Sequence, residues 1–176
     1  MAVPATEMTD MFDKTRRTLV VGLGETGLSV ARYLSGQGVP VAVVDSRTEP
    51  PALERSRAEL PADVALFLGD FNAEAFERAE QIVISPGVSI QEPAIAAAFA
   101  RGIPVIGDVE LFAQAAVAPV IAVTGSNGKS TVVTLLGAMA RRAGLDVRVG
   151  GNIGTPALDP VSYTHLRAHE TAYTIS

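Results

Sequence analysis

Thr18-Leu19-Val20-Val21-Gly22-Leu23-Gly24-Glu25-Thr26-Gly27-Leu28-Ser29 is the stretch on which the fold turns. Its apolar opening has no polar interruption from Leu19 to Val21, as in a strand buried on both faces. The glycines that follow allow a tight turn, close approach of the backbone to a phosphate, and packing of the next helix on the strand. Between Glu25 and Gln37, Leu28, Ala31 and Leu34 share one helical face, and Gly36 and Gly38 supply stop signals. The next apolar run, Val39 to Val44, closes on Asp45, about 20 residues past the turn, where an acid can accept hydrogen bonds from ribose hydroxyls. Arg47 adds a cation at the same strand end, either for a phosphate or as a solvated loop charge. The turn itself admits a dinucleotide such as NAD, another nucleotide diphosphate, or no ligand at all if it only packs helix on strand.

Outward from there, Val64 to Leu68, Gln81 to Ile84 and Ile103 to Ile106 read as further buried strands. Pro50 and Pro51 open a helix over Ala52 to Leu60, and Glu92 to Arg101 forms another that stops at Gly102. Strand and helix in alternation predict an α/β domain on a parallel sheet, Rossmann-like in plan. A helix over Asp108 to Ala116 follows, and then the pattern restarts with a strand from Val120 to Thr124, a helix from Ser130 to Ala143, and a strand from Val147 to Val149. The expected organisation is an N-terminal extension over 1–17, a first nucleotide-binding domain over 18–107, and the beginning of a second over 108–160, with the boundary near Gly107. Val161 to Ser176 holds His165, His169, Tyr163 and Tyr173 without an apolar period. It is expected to be a non-native end and a poor continuation of a parallel sheet, the bland alternative being an ordinary tail. Its histidines are given no catalytic role.

Composition excludes several classes. The 176 residues are 48% hydrophobic with a formal net charge of −5, so a core is available and the basic face of a nucleic-acid binder is not. There is no cysteine, hence neither a disulfide framework nor thiol catalysis. No stretch approaches the roughly 18 apolar residues needed to span a membrane. The first residues lack the positive start and apolar run of a signal peptide. A soluble, cytoplasmic protein, with no nucleic acid and no membrane insertion, is expected.

The second glycine turn, Thr124-Gly125-Ser126-Asn127-Gly128-Lys129-Ser130-Thr131, again lies between strand and helix. Backbone N–H groups can wrap phosphates, the Lys129 ammonium can reach β- and γ-oxygens, and the Ser130 hydroxyl can ligate magnesium. Val123 stands where the usual phosphate loop has its first glycine, so the loop is a short variant. Each charge-assisted bond from Lys129 would be worth on the order of 1.5–3 kcal/mol. A dehydrogenase would leave this second loop idle, and a simple ATPase would leave the first idle. A chain with both holds one nucleotide as substrate handle and another as energy source. An NAD(P)-binding oxidoreductase domain and a non-enzymatic nucleotide-binding module stand as alternatives.

With these motifs, Asp45-Ser46-Arg47, Ser85-Pro86-Gly87, Gly107-Asp108-Val109-Glu110-Leu111-Phe112 and Gly150-Gly151-Asn152-Ile153-Gly154, the sequence from about Leu19 to Pro160 resembles the Mur ligases, and among them the D-glutamate-adding members. The resemblance implies a first domain that binds the UDP part of UDP-N-acetylmuramoyl-L-alanine rather than NAD. Thr26 would lie at the diphosphate, Gly24 and Glu25 beside it among the residues that bind the UDP substrate, Asp45, Ser46 and Arg47 toward the uridine, and Gly87 against the nucleotide. Asn152 would reach the substrate from the second domain. The plain alternative for Gly87 is a Pro-Gly turn after a strand, and for Asn152 a turn residue between glycines. ATP would be held by Gly125, Ser126, Asn127, Gly128, Lys129, Ser130 and Thr131, with Lys129 catalytic and Mg2+ on Ser130. The implied reaction is phosphoryl transfer to the substrate carboxylate, then attack of D-glutamate on the acyl phosphate, in a monomeric enzyme. The family's later glutamate, histidine, carbamylated lysine and third domain are not among these residues. The chain alone is therefore expected to be inactive, and no general base is identifiable in it.

Overall fold

The structure, a computed structural model, describes residues 12–116, 118–151 and 155–159, and the backbone of 171–175. Two compact units divide between Gln114 and Ala115.

In the first unit, five parallel strands lie in the order β3-β2-β1-β4-β5, with β1 Thr18–Val21, β2 Val41–Asp45, β3 Ala65–Leu68, β4 Gln81–Ile84 and β5 Val105–Gly107. Helices α1 Glu25–Gly36, α2 Leu53–Glu59, α3 Ala73–Arg78 and α4 Pro93–Ala100 connect them, and α5 Asp108–Ala115 follows β5. β1 pairs with β2 on one side and β4 on the other, Val20 facing both Val43 and Val83 in register. The direction of strand addition thus reverses beside β1, which opens a crevice at the carboxyl ends of β1 and β4. Side chains alternate across a strand, so Leu19 and Val21 share a face. They join Val44, Ile82, Phe76 and Ile95 in one buried cluster. Val20, Val43 and Val83, fully buried, form the row on the other face. Burial on both faces is why β1 reads as an unbroken apolar run.

Two features were not anticipated. Helix α3 is short, and its signal is Asn72, whose side chain accepts a hydrogen bond from the Ala75 N–H at 2.9 Å as an N-cap. Gln81, which opens β4, is 1% exposed and fully used. Its Nε2 donates to the Asp13 carbonyl and the Thr18 hydroxyl, both at 2.7 Å, and its Oε1 accepts from the Asp13 N–H. The expected boundary near Gly107 lies one helix earlier than the division between the units. Helix α5 starts directly at Asp108 with no linker, and Asp108, Leu111 and Phe112 are buried.

In the second unit, β6 Val120–Ala122, α6 Lys129–Arg142 and β7 Asp146–Gly150 are joined by β8 Thr171–Ile175 in a parallel sheet of order β6-β8-β7. Residues 171–175 were expected to be a poor continuation of such a sheet. They form its central strand instead, as suits the β-branched and aromatic content of Thr-Ala-Tyr-Thr-Ile. His165, His169 and Tyr163 lie outside the described residues. Helix α6 packs closely on β7, since a Cβ at Gly137 would come within 2.8 Å of Val149. Its opposite flank leaves Val132, Leu135 and Met139 exposed. Among the described residues, no helix is long and apolar enough to cross a membrane.

Among the glycines of the first unit Gly27 is the most crowded, since an added Cβ would stand 1.8 Å from the Gly22 carbonyl oxygen. Gly27→Ala is expected to cost about 3 kcal/mol or more, because the crowding is against backbone that cannot yield without moving α1. Gly24→Ala meets nothing within 4 Å and should stay within about 0.5 kcal/mol of the parent. Urea unfolding of the two variants measures the difference.

Candidate functional site

The first turn is fixed from three sides. Gly22 donates its N–H to the Val44 carbonyl at 2.8 Å, and Ser85 donates its N–H to the Val21 carbonyl at 3.0 Å, carrying both ladders to the strand ends. Gly22 has φ +97°, a left-handed conformation open to glycine, and its carbonyl accepts from the Ser85 hydroxyl at 3.2 Å. Helix α1 then begins with Gly24 as an extended N-cap that makes no side-chain capping bond. The Leu28 N–H bonds the Gly24 carbonyl at 3.0 Å, so the N–H groups of Glu25, Thr26 and Gly27 precede the first turn's acceptors. That leaves a set of donors at the positive end of the helix dipole, facing the crevice.

Asp45, only 2% exposed, closes this turn from β2. Its Oδ2 accepts from the Leu23 N–H at 2.6 Å and from Arg47 Nη2 at 2.7 Å. Its Oδ1 accepts from the Arg47 N–H at 2.9 Å and Arg47 Nε at 2.8 Å. Burial pushes the Asp45 carboxyl up, but the Arg47 and Leu23 donors outweigh it and hold the group below its ordinary value. Asp45 is thus a clamp between the glycine turn and Arg47. The half-exposed Arg47 guanidinium is aimed by it, and Ser46 lies exposed between the two. Across the crevice, Val88 donates to the Ser85 carbonyl at 3.0 Å in a turn that contains Gly87, where an added Cβ would meet nothing within 4 Å. The fold therefore gathers Gly24 to Thr26, Asp45 to Arg47 and Ser85 to Gly87 at the carboxyl ends of three adjacent strands. The Ser85 latch was missed because a serine before Pro-Gly reads as a turn former. At the neighbouring end of β5, burial raises the Asp108 carboxyl above its ordinary value, partly offset by the N–H groups of Asp108 and Val109.

The second turn, in the other unit, runs from the end of β6 to α6. Gly128 is its N-cap, left-handed at φ 76°, and Lys129 is the first helical residue. The Lys129 ammonium folds back to donate to the Gly125 carbonyl. The Val132 N–H bonds the Gly128 carbonyl at 3.0 Å, so the N–H groups of Lys129, Ser130 and Thr131 come before the helical ladder. Ser126, Asn127, Ser130 and Thr131 are exposed around this end. At the end of β7 the Gly151 N–H donates to the Thr155 carbonyl at 3.0 Å, closing a loop in which Asn152 lies outside the described residues. No group of three or more metal-ligating side chains occurs among the described residues. Ser126, Ser130 and Thr131 offer hydroxyls at this helix start, and the one on Ser130, the second helical residue, would suit magnesium, a cation that keeps several waters and takes phosphate oxygens.

The clamp has a pH signature. A carboxyl held below 3.8 contributes stability that is present above that value and lost as pH falls through the lower folded value. Asp45→Asn should therefore cost roughly 2 kcal/mol at neutral pH, where charged hydrogen bonds are lost. The gap from the parent should hold down to about pH 4 and narrow below it. Denaturant unfolding across pH 7 to 3 checks the cost and its direction.

The family model described as Mur ligase MurD-like, N-terminal domain, matches residues 16–107. The UDP-N-acetylmuramoylalanine–D-glutamate ligase of Marinobacter nauticus is 62% identical over 144 residues, 82% of this chain and 32% of that protein. Its counterpart from Nitrosococcus oceani is 58% identical over 81% of this chain and 31% of its own length. This chain spans about a third of the length of these curated relatives. Among solved structures, the UDP-N-acetylmuramate:L-alanyl-gamma-D-glutamyl-meso-diaminopimelate ligase of Neisseria meningitides aligns with a TM-score of 0.58 at 21% identity, over 92% of this chain and 52% of that one. A pseudomurein peptide ligase type C from Methanothermus fervidus aligns at 0.51 and 22% identity, over 92% and 33% respectively, and both speak for the fold alone. Since the family model takes in just over half of the residues, including the clamped glycine turn, the chain belongs to the Mur ligase family through a MurD-like N-terminal domain.

Proposed function

We propose that this chain supplies the substrate-gripping and ATP-gripping turns of a cytoplasmic, monomeric ligase that joins D-glutamate to UDP-N-acetylmuramoyl-L-alanine. The observation that carries the reading is the succession of two different glycine turns, one closed by Asp45 and one by Lys129, in a chain at least half identical to ligases of that name. In the first turn, the N–H groups of Glu25, Thr26 and Gly27 receive the diphosphate. Arg47 and Ser46 face the uridine side, and the Gly87 backbone lies against the nucleotide. Asp45 holds Arg47 and the turn in place.

In the second turn, the N–H groups from Gly125 to Thr131 surround the triphosphate of ATP, with Asn127 and Ser126 at its edge. Lys129 exchanges its contact with the Gly125 carbonyl for phosphate oxygens and steadies the charge that moves during phosphoryl transfer. Ser130 would hold Mg2+, which when bound neutralises phosphate charge. The substrate carboxylate takes the γ-phosphoryl group, and the D-glutamate amine displaces phosphate to form the amide. Asn152 is assigned to the substrate by resemblance only.

The Asp45 clamp also weighs against a dinucleotide. An acid that binds the ribose hydroxyls of NAD needs open acceptor positions, whereas both Asp45 oxygens already accept two bonds each. Calorimetric titration of the chain with UDP-N-acetylmuramoyl-L-alanine and, in parallel, with NAD tests the proposal. Saturable binding of the UDP compound and none of NAD is expected. Binding of NAD in its place would overturn it.

A further inference from the structure

The first turn of α1 carries an acid at the place where an anion is to bind. Glu25 is the first residue of the helix and the acidic residue of its first turn, and its side chain is 60% exposed. A carboxylate there favours the helix through the dipole, but it opposes a diphosphate that uses the same N–H groups. The fold answers this charge from α2. The Ala52 N–H donates to the Leu23 carbonyl at 3.3 Å, which docks the start of α2 onto the glycine turn itself. One helical turn further on, Arg55 Nη1 meets Glu25 Oε2 at 2.5 Å. Arg55 Nε also donates to Glu59 Oε1 at 2.8 Å, and Arg32 Nη1 to Glu59 Oε2 at 2.6 Å. The row Glu25–Arg55–Glu59–Arg32 is electrically balanced and ties the Glu25 carboxylate to α2.

We infer that Arg55 is a positioning residue for the nucleotide site: it neutralises Glu25 and draws that carboxylate aside, so that the α1 N-terminus stays receptive to a nucleoside diphosphate. The inference rests on the UDP reading of the first turn. Arg55 acts through Glu25, to which its guanidinium is bonded. Without Arg55, a free negative charge would stand at the mouth of the site, and its effect would be screened by salt.

The test is calorimetric titration of the full chain with uridine 5′-diphosphate, using the parent, Arg55→Gln, Glu25→Gln and the double variant, at low and at high salt. Arg55→Gln should weaken binding about threefold to fivefold at low salt, in line with the strength of exposed charge pairs. The loss should shrink at high salt. Glu25→Gln, which keeps the backbone N–H donor and removes only the side-chain charge, should bind more tightly than the parent at low salt, and the double variant should return to within about twofold of the parent, because removing the acid removes the need for its partner. That rescue also separates a charge effect from a folding defect, which Glu25→Gln would not repair. Equal binding by the parent and Arg55→Gln overturns the inference alone, as does a double variant as weak as Arg55→Gln. A parent that does not bind uridine diphosphate sinks the inference together with the UDP reading.

Discussion

The carbonyl of Gly22 has almost no freedom, and the first unit is arranged around that fact. Helix α1 comes so close at Gly27 that no Cβ fits, and the Ser85 hydroxyl takes the same oxygen from the other side. The direction in which α1 leaves the sheet follows from this contact. With it follows the place of three backbone donors, and hence of any anion they receive. Asp45 adds the second restraint by tying the Leu23 N–H to the end of β2. Backbone crowding and a buried, fully bonded carboxylate are both stiff, so the turn is held in shape by the protein's own contacts.

On the proposed reading, the two glycine turns would meet a nucleotide's charge in different ways. In the first, a buried acid is spent inside the protein and an exposed arginine is left at the strand end. In the second, the cation is the first residue of the helix, and its ammonium rests on a carbonyl of the loop it closes. A nucleotide held as a handle needs a fixed cradle, whereas one that loses its γ-phosphoryl group needs a charge that can follow the phosphate.

Much of this was legible because it depends on residue spacing. The unbroken apolar runs gave the parallel strands, and the glycines between Val21 and Leu28 gave the turn, since burial on both faces and a tight turn each leave a local mark. What could not be read depends on contacts between distant residues. Asp45 could be placed at the strand end, but its use as a clamp needs the Leu23 N–H and the Arg47 fork in space. Ser85 and Arg55 reach their partners across strands and helices. Helix α3 was overlooked because so short a helix shows no periodicity, only the Asn72 cap. The compact unit runs on past the expected boundary at Gly107 to Gln114, because β5 passes into α5 without a loop residue between Gly107 and Asp108.

A preformed, clamped turn makes a direct statement about individual amide protons, and hydrogen exchange followed by NMR with and without uridine diphosphate reads it most plainly. The Leu23 amide should be protected before any ligand is added, because Asp45 already holds it. The Thr26 and Gly27 amides should exchange quickly in the free chain and slow by about tenfold or more at saturation. A Leu23 amide as fast as those of exposed loops, or Thr26 and Gly27 amides indifferent to bound uridine diphosphate, would contradict these expectations.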